Sequence, residues 1–264
     1  MAFAPAAVID GPDRQPLPYG LFSVVSLAEA ATERWQNNVK WLAICSDPLN
    51  IVVGDCDAPQ GFPKQFPENM VVGSANAFTV YGTAKCGLDE NTAEDVQAAA
   101  EQVLANYEEA AAEKRLWQTF DDTATVLTGS TDPVLALARL EQYIADEYGS
   151  KGVIHMSRRA GSVYASRLYI AANGTQMQTR LGTPVVVGSG YPGTGVAGAA
   201  PAANEQFIAA TPAMLGYRSQ VILPFNNPGD LMARGTNDMF GIAERNYLIG
   251  YDPCGVAMAS VLLG

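Results

Sequence analysis

The chain has 264 residues, 48% hydrophobic and 16% charged, which is enough apolar material for a real core and excludes a disordered chain. With 27 acidic against 16 basic residues its formal net charge is −11, which argues against broad affinity for nucleic acid or anionic membranes. The length allows one large domain or two small ones.

No run of about eighteen apolar residues is present to span a bilayer. The opening MAFAPAAVIDGPDR lacks the basic and apolar regions of a signal peptide. Cys45, Cys56, Cys86 and Cys254 form no CxxC pair, and with the single His155 they make a poor zinc set. Four reduced thiols, as in a protein made in a cytoplasm, are the expectation. A Cys45–Cys56 bridge is the alternative in an oxidising medium.

Residues 1–20 hold Pro5, Pro12, Pro16 and Pro18 and read as an extended arm, with a loose terminus as the alternative. Leu21–Ala31 suits a short helix with Ser26 as its cap. Glu33–Cys45, with Trp35, Val39, Trp41 and Ile44, suits a strand pair. From Ser46 to Asn69 the chain is irregular, and Met70–Val72 and Phe78–Ala84 then return to β-prone sequence. Two strands joined by a long projecting excursion result.

Asn91–Phe120 predicts a long helix, from about Thr92 to Thr119, roughly 40 Å at 1.5 Å per residue. Val96, Ala100, Val103, Leu104, Tyr107, Ala111 and Trp117 recur at helical spacing, separated by good helix formers. Asn91 with Glu94 suits a capping box. One narrow apolar stripe on so long a rod predicts a spine lying across a sheet; the plainer alternative is a surface helix of a compact enzyme.

Asp132-Pro133 then starts a second helix, running to about Tyr148, with Leu137, Leu140, Ile144 and Tyr148 inward and Gly149 as its C-cap. Gly152–Met156 reads as a buried strand and Arg158–Leu168 as a short helix. Asn173-Gly174 marks a turn. Thr183–Val187 is a buried strand, followed by a mobile Gly/Ala/Pro loop. Gln206–Ala210, Ala213–Leu215, Tyr217–Leu223, Met239–Ile249 and Val256–Leu263 read as strands.

Chemistry is nearly silent. Gly188, Gly190 and Gly193 match GxGxxG after a strand, but Pro192 argues against the helix that dinucleotide binding needs. No GxxxxGK[ST] loop or GxSxG elbow occurs. His155, in VIHM, suits a hydrogen-bonded core residue better than a catalytic base. Asp121-Asp122 and Glu108-Glu109 suit loop and helix-surface charges. No catalytic, cofactor-binding or metal residue is assigned, and an enzyme is not expected.

This order of parts resembles the major capsid proteins of tailed bacteriophages, the Hong Kong 97-type fold shared with encapsulin shells. The local match is LGTPVVVGSGYPGTG at Leu181–Gly195, where Gly182, Pro184, Val185, Val186 and Val187 fill a Gly-x-Pro-Val-Val-Val pattern. Glu108–Phe120 is similar to the end of a spine helix, and Leu137–Ala160 to an axial helix leading into a buried strand. The sequence also resembles structural proteins of actinobacterial phages. The chain is short for this family and lacks a long scaffolding segment. Lys64 and Asn237 are too little to support a covalent cross-link.

The resemblance implies an α+β capsid fold: an N-terminal arm (1–32), extended loop and first peripheral strands (33–87), spine helix of the peripheral domain (88–130), axial domain (131–216) and returning peripheral strands (217–264). It implies self-assembly into hexamers or pentamers of an icosahedral head around double-stranded DNA. Arm 1–20 and excursion 46–69 would overlap adjacent subunits, and Gly188–Ala203 would approach the ring axis. Implied partners are copies of itself or a paralogous capsid subunit, with scaffolding, portal or decoration proteins, and no cofactor, membrane or sequence-specific nucleic-acid binding. The location implied is the virion, assembled in a bacterial cytoplasm. The alternatives are an encapsulin-type compartment and a minor virion protein such as a pentamer-only, neck or decoration subunit; a small hydrolase is the remaining class.

Overall fold

Two sheets and a long helix organise the chain. The computed structural model describes residues 14–29, 33–45, 70–87, 92–128, 132–225, 231–233, 235–236 and 238–264. The expectations for the arm before residue 14, for excursion 46–69, and for Cys56, Lys64, Asn91 and Asn237 lie outside these residues.

The strands are β1 (Leu27–Ala28), β2 (Val39–Ile44), β3 (Met70–Ala75), β4 (Phe78–Gly87), β5 (Thr125–Leu127), β6 (Val153–Ser157) and β7 (Ile170–Asn173). They continue with β8 (Gln176–Thr179), β9 (Pro184–Gly188), β10 (Glu205–Thr211), β11 (Met214–Arg218), β12 (Met232–Ala233), β13 (Asp238–Tyr251) and β14 (Ala257–Leu262). The α-helices are α1 (Ala93–Asp121), α2 (Pro133–Glu147) and α3 (Arg158–Ser166).

The seven-stranded sheet runs β5-β14-β10-β6-β9-β8-β7. Its strands alternate between two cores, as a period of two requires. Ile154, Met156, Val185, Val187, Ile208 and Ala210 point to the side of α2 and α3. Val153, Val186, Ala209 and Met258 point to Leu116, Trp117 and Phe120 of α1. Covered on both faces, β6 is buried throughout and reads as the continuous apolar run that marks such strands.

The five-stranded sheet centres on β13, which pairs with β4 over Asp238–Tyr247 and with β11 over Tyr247–Tyr251. Here α1 lies across β4 and β13, as expected of a spine. The close approach rests on four small residues in two facing pairs, Gly82 with Ala243 and Ala84 with Gly241. A Cβ on Gly82 would sit 2.4 Å from the Leu104 backbone nitrogen, and one on Gly241 2.6 Å from the Val96 carbonyl. Val96, Ala100 and Leu104 are buried by this contact, while Tyr107, expected on the inner stripe, faces solvent. Glu94, Asp95, Ala98, Glu101, Gln102 and Ala105 leave one flank of the rod exposed.

The capping box forms one residue later than expected, from Thr92 and Asp95. α2 starts on the Asp132 cap with Pro133 at its first turn, and Gly149, at φ 67°, closes it in the left-handed conformation glycine favours. The helix expected over Leu21–Ala31 does not form in its described part, Leu21–Glu29. A 3-10 turn, Leu21–Ser23, leads into β1, because Leu27 and Ala28 pair with Gly216 and Tyr217 of β11. Glu33–Asn37 is a second 3-10 turn, so the strand expected from Glu33 begins only at Val39. Thr125–Leu127, between the two helices and assigned no element on sequence, is drawn into the sheet beside β14. Beyond Arg218 only Ile222 bridges Glu244, so Tyr217–Leu223 is not one strand. β14, grouped with β13 on sequence, lies in the other sheet.

Candidate functional site

A two-stranded ribbon stands apart from both sheets. β2 and β3 pair antiparallel, with Leu42 opposite Val72 and Ile44 opposite Met70. Because side chains alternate across a strand, these four share one face, and each is more than half exposed. The opposite face carries Trp41 and Ala43. Trp41 packs over Gly73 and Gly250, where a Cβ would meet its ring at 2.4 and 2.7 Å. One face therefore roots the ribbon and the other remains an apolar surface without a partner among the described residues.

Three attachments hold the root. Trp41 Nε1 donates to Asp252 Oδ1 at 2.8 Å, and Tyr148 Oη donates to Asp252 Oδ2 at 2.9 Å. Cys45 is joined to Cys254 in a disulfide, with Cα atoms 5.1 Å apart. This corrects the expectation of four reduced thiols and of Cys56 as the partner of Cys45. Cys45 shares the inward face with Trp41 and Ala43, so it meets the β13–β14 turn; nothing in the spacing of the cysteines shows this. Cys86 is free and half-buried.

A second cluster ties the entering chain to the spine. Glu113 is buried on α1 and accepts from the Leu21 backbone N–H at 3.0 Å and the Gly190 N–H at 2.7 Å. Glu109, one turn earlier, accepts from the Phe22 N–H at 2.7 Å. Burial pushes the Glu113 carboxyl up to about 7, against the backbone donors of Gly190 and Leu21, with neighbouring Glu109 adding to the rise. Glu113 thus binds α1, the segment after Gly20 and the turn after β9 into one joint. On sequence it had no distinction from the other glutamates of the helix.

The GxGxxG match opens no helix beyond a 3-10 turn, Val196–Gly198. Instead Gly190 lets the turn touch α1: a Cβ there would lie 1.9 Å from the Ala110 carbonyl. Tyr191 is buried, and Trp117 Nε1 donates to the Thr194 carbonyl at 3.2 Å. Residues 188–196 are therefore pinned, in place of the mobile loop expected, with Ser189 and Pro192 as their exposed members, while Ala197–Ala200 and Ala202–Asn204 form the continuously exposed stretches.

His155 is a core residue, as its sequence context suggested. Its Nδ1 lies 2.8 Å from Tyr191 Oη and its Nε2 2.9 Å from Thr211 Oγ1, and burial holds the imidazole down at about 3. It is neutral at physiological pH with both nitrogens occupied, and no serine or cysteine nucleophile is among its partners. Asp121 and Asp122 stay at the end of α1, while Glu108 accepts both contacts from Arg245 Nη1 at 2.8 Å.

A cleft of about 430 Å³ lies between the ribbon root and α1, lined by Val72, Asn76, Leu116, Thr119, Ile249 and Val256. Its charged lining residue is Arg115, and it brings together no acid–base pair. Among the described residues no three His, Cys, Asp or Glu side chains are grouped to hold a metal, and no helix is long and apolar enough to cross a membrane.

No family model matches the chain, and no curated protein does. Solved structures match over nearly its whole length. The capsid of a native GTA particle aligns at TM-score 0.57 and 12% identity, covering 99% of this chain and 95% of that one. The capsid of Ralstonia phage GP4 aligns at TM-score 0.55 and 9% identity, covering 98% and 95%. An encapsulin complex from Synechococcus elongatus PCC 7942 aligns at TM-score 0.53 and 11% identity, covering 98% and 93%. At such identities the likeness is one of fold, and this chain has the α+β Hong Kong 97-type fold of those shells.

Proposed function

We propose that this chain is a structural shell protein that assembles with copies of itself into the pentamers or hexamers of an icosahedral phage head around double-stranded DNA. The observation that carries this is the outward face of the ribbon. Leu42, Ile44, Met70 and Val72 form two facing apolar pairs on a covalently rooted projection, with no internal partner among the described residues. Apolar surface so displayed marks an interaction site. Its occupant is a neighbouring copy, since a fold shared with shell subunits is repeated by symmetry.

The division into arm, projecting loop, spine-and-sheet part and axial part belongs to the same proposal, with β14 counted with the axial sheet. The location proposed is the virion. A second reading, an encapsulin-type compartment, is favoured by the alignment with the Synechococcus shell. Electron microscopy of the purified protein tests both. Closed shells are expected, with nucleic acid inside for a phage head or a packaged enzyme for a compartment. Monomers under all conditions would refute either.

A further inference from the structure

We propose that the turn between β8 and β9 is a docking knob that seats on an acidic face of a second copy; this rests on the shell function proposed above. The turn is built from behind. Glu141 of α2 accepts from the hydroxyls of Thr179 and Thr183, both at 2.6 Å. Thr179 Oγ1 accepts in turn from the Leu181 and Thr183 N–H groups at 3.3 and 3.2 Å. The Gly182 N–H closes on the Thr179 carbonyl at 3.1 Å, at a φ of 86° that suits glycine.

This network holds Leu181 outward, 79% exposed, the highest value among the large apolar side chains described. An exposed leucine on a slack loop is common; one on a turn fixed by a half-buried carboxylate is pre-organised for contact. Leu168, also exposed, is tied to the same turn, because Arg180 Nε donates to the Leu168 carbonyl at 2.8 Å. Arg180 and Arg167 directly precede these leucines in the chain, and Lys151 reaches the turn; all three are exposed. The Lys151 ammonium reaches 3.9 Å from where a side chain on Gly182 would begin. None of the three has an ion pair among the described residues, whereas Lys85, Arg218 and Arg245 do.

Charge selects the occupant. Two copies of a chain at −11 repel each other in most orientations. Setting this cationic patch on an acidic part of the neighbour gives attraction at the contact and fixes its register. The leucines then lose their exposure to water at the centre of a charged rim, the arrangement of a protein interface.

The test uses the purified full chain, with critical concentration for assembly read by light scattering and sedimentation. Leu181→Asp and Arg180→Glu are expected to raise it about tenfold or more while leaving the circular dichroism and melting temperature of the subunit unchanged. Added salt, which shortens the Debye length from about 30 Å at 0.01 M to about 3 Å at 1 M, is expected to weaken wild-type assembly more than that of Arg180→Glu. Variants that assemble at the wild-type concentration overturn the knob and leave the shell function standing. A wild type that never assembles overturns the shell function, and the knob with it. If Arg180→Glu instead abolishes retention of a duplex DNA probe and leaves assembly intact, the patch serves a polyanion and the knob is overturned.

Discussion

Asp252 divides its two carboxylate oxygens between Trp41 and Tyr148, so one side chain joins the ribbon root to the end of α2. Replacing it with alanine removes both acceptors and leaves two ring donors to find water. Asp252→Ala is expected to destabilise the subunit by about 1–3 kcal/mol. It is also expected to increase proteolysis near residue 45 ahead of global unfolding. Equilibrium urea unfolding and limited proteolysis measure the two; cleavage no faster than wild type would show that the disulfide alone secures the root.

The Cys45–Cys254 bond spans 209 residues of sequence. Closing so large a loop restricts the unfolded chain, and loss of such a bond is expected to cost about 2–4 kcal/mol. Mass spectrometry of the non-reduced protein should find the linked peptide. Dithiothreitol should lower the melting temperature of wild type and leave that of Cys45→Ser unmoved. Four titratable thiols in oxidised protein would contradict the bond.

Two buried groups set opposing pH dependences. Glu113 keeps its proton to about pH 7 when folded, against 4.5 ordinarily. Its contribution is fully present below about 4.5 and is lost as pH rises through about 7. His155 stays neutral down to about 3, against 6.5 ordinarily. Its contribution is present above about 6.5 and is lost as pH falls towards 3. The slopes oppose between about 4.5 and 6.5, so stability of the unassembled subunit should be nearly flat there and fall below it. In Glu113→Gln the plateau should become a continuous decline from about pH 6.5 downward, visible in urea unfolding across about pH 4 to 8. An identical profile in the variant would remove Glu113 from the account.

The spine rests on the floor of Gly82, Ala84, Gly241 and Ala243. Gly82→Val would drive a side chain into the Leu104 backbone, which cannot yield as a flexible side chain can. A loss of about 1–3 kcal/mol or more is expected, from overpacking. Gly87→Ala, on the same strand with open space around it, should be close to neutral. Equal effects at both positions would mean that α1 does not bear on this floor.

Much of this architecture was legible because it is local. The helical period over Val96–Trp117, the Asp132-Pro133 start and the apolar run at Val153–Met156 each act within a few residues. The failures share a cause, which is distance. Leu27–Ala28 is extended because β11, nearly two hundred residues on, offers a free edge, and Thr125–Leu127 because β14 does. The apolar character of Leu42–Ile44 and Met70–Val72 was evident, but a strand pattern does not say which face will be covered. Glu113 is indistinguishable from Glu108 or Glu109 until the chain after Gly20 folds over it. The rigidity of Gly188–Val196 was missed for the same reason. Its glycines looked like freedom, and in the fold Gly190 serves a close approach to Ala110.

Both sheets are also completed late. β13 is the interior member of one, between β4, β11 and β12, and β14 sits inside the other, between β5 and β10. A ribosome that has not yet reached residue 238 has made two sets of strands, each with a gap in its middle. Unsealed edges of that kind invite pairing with whatever strand is nearest. Productive folding is thus deferred until residues 238–262 have been made, and crowding of nascent copies before that moment is the hazard this wiring carries.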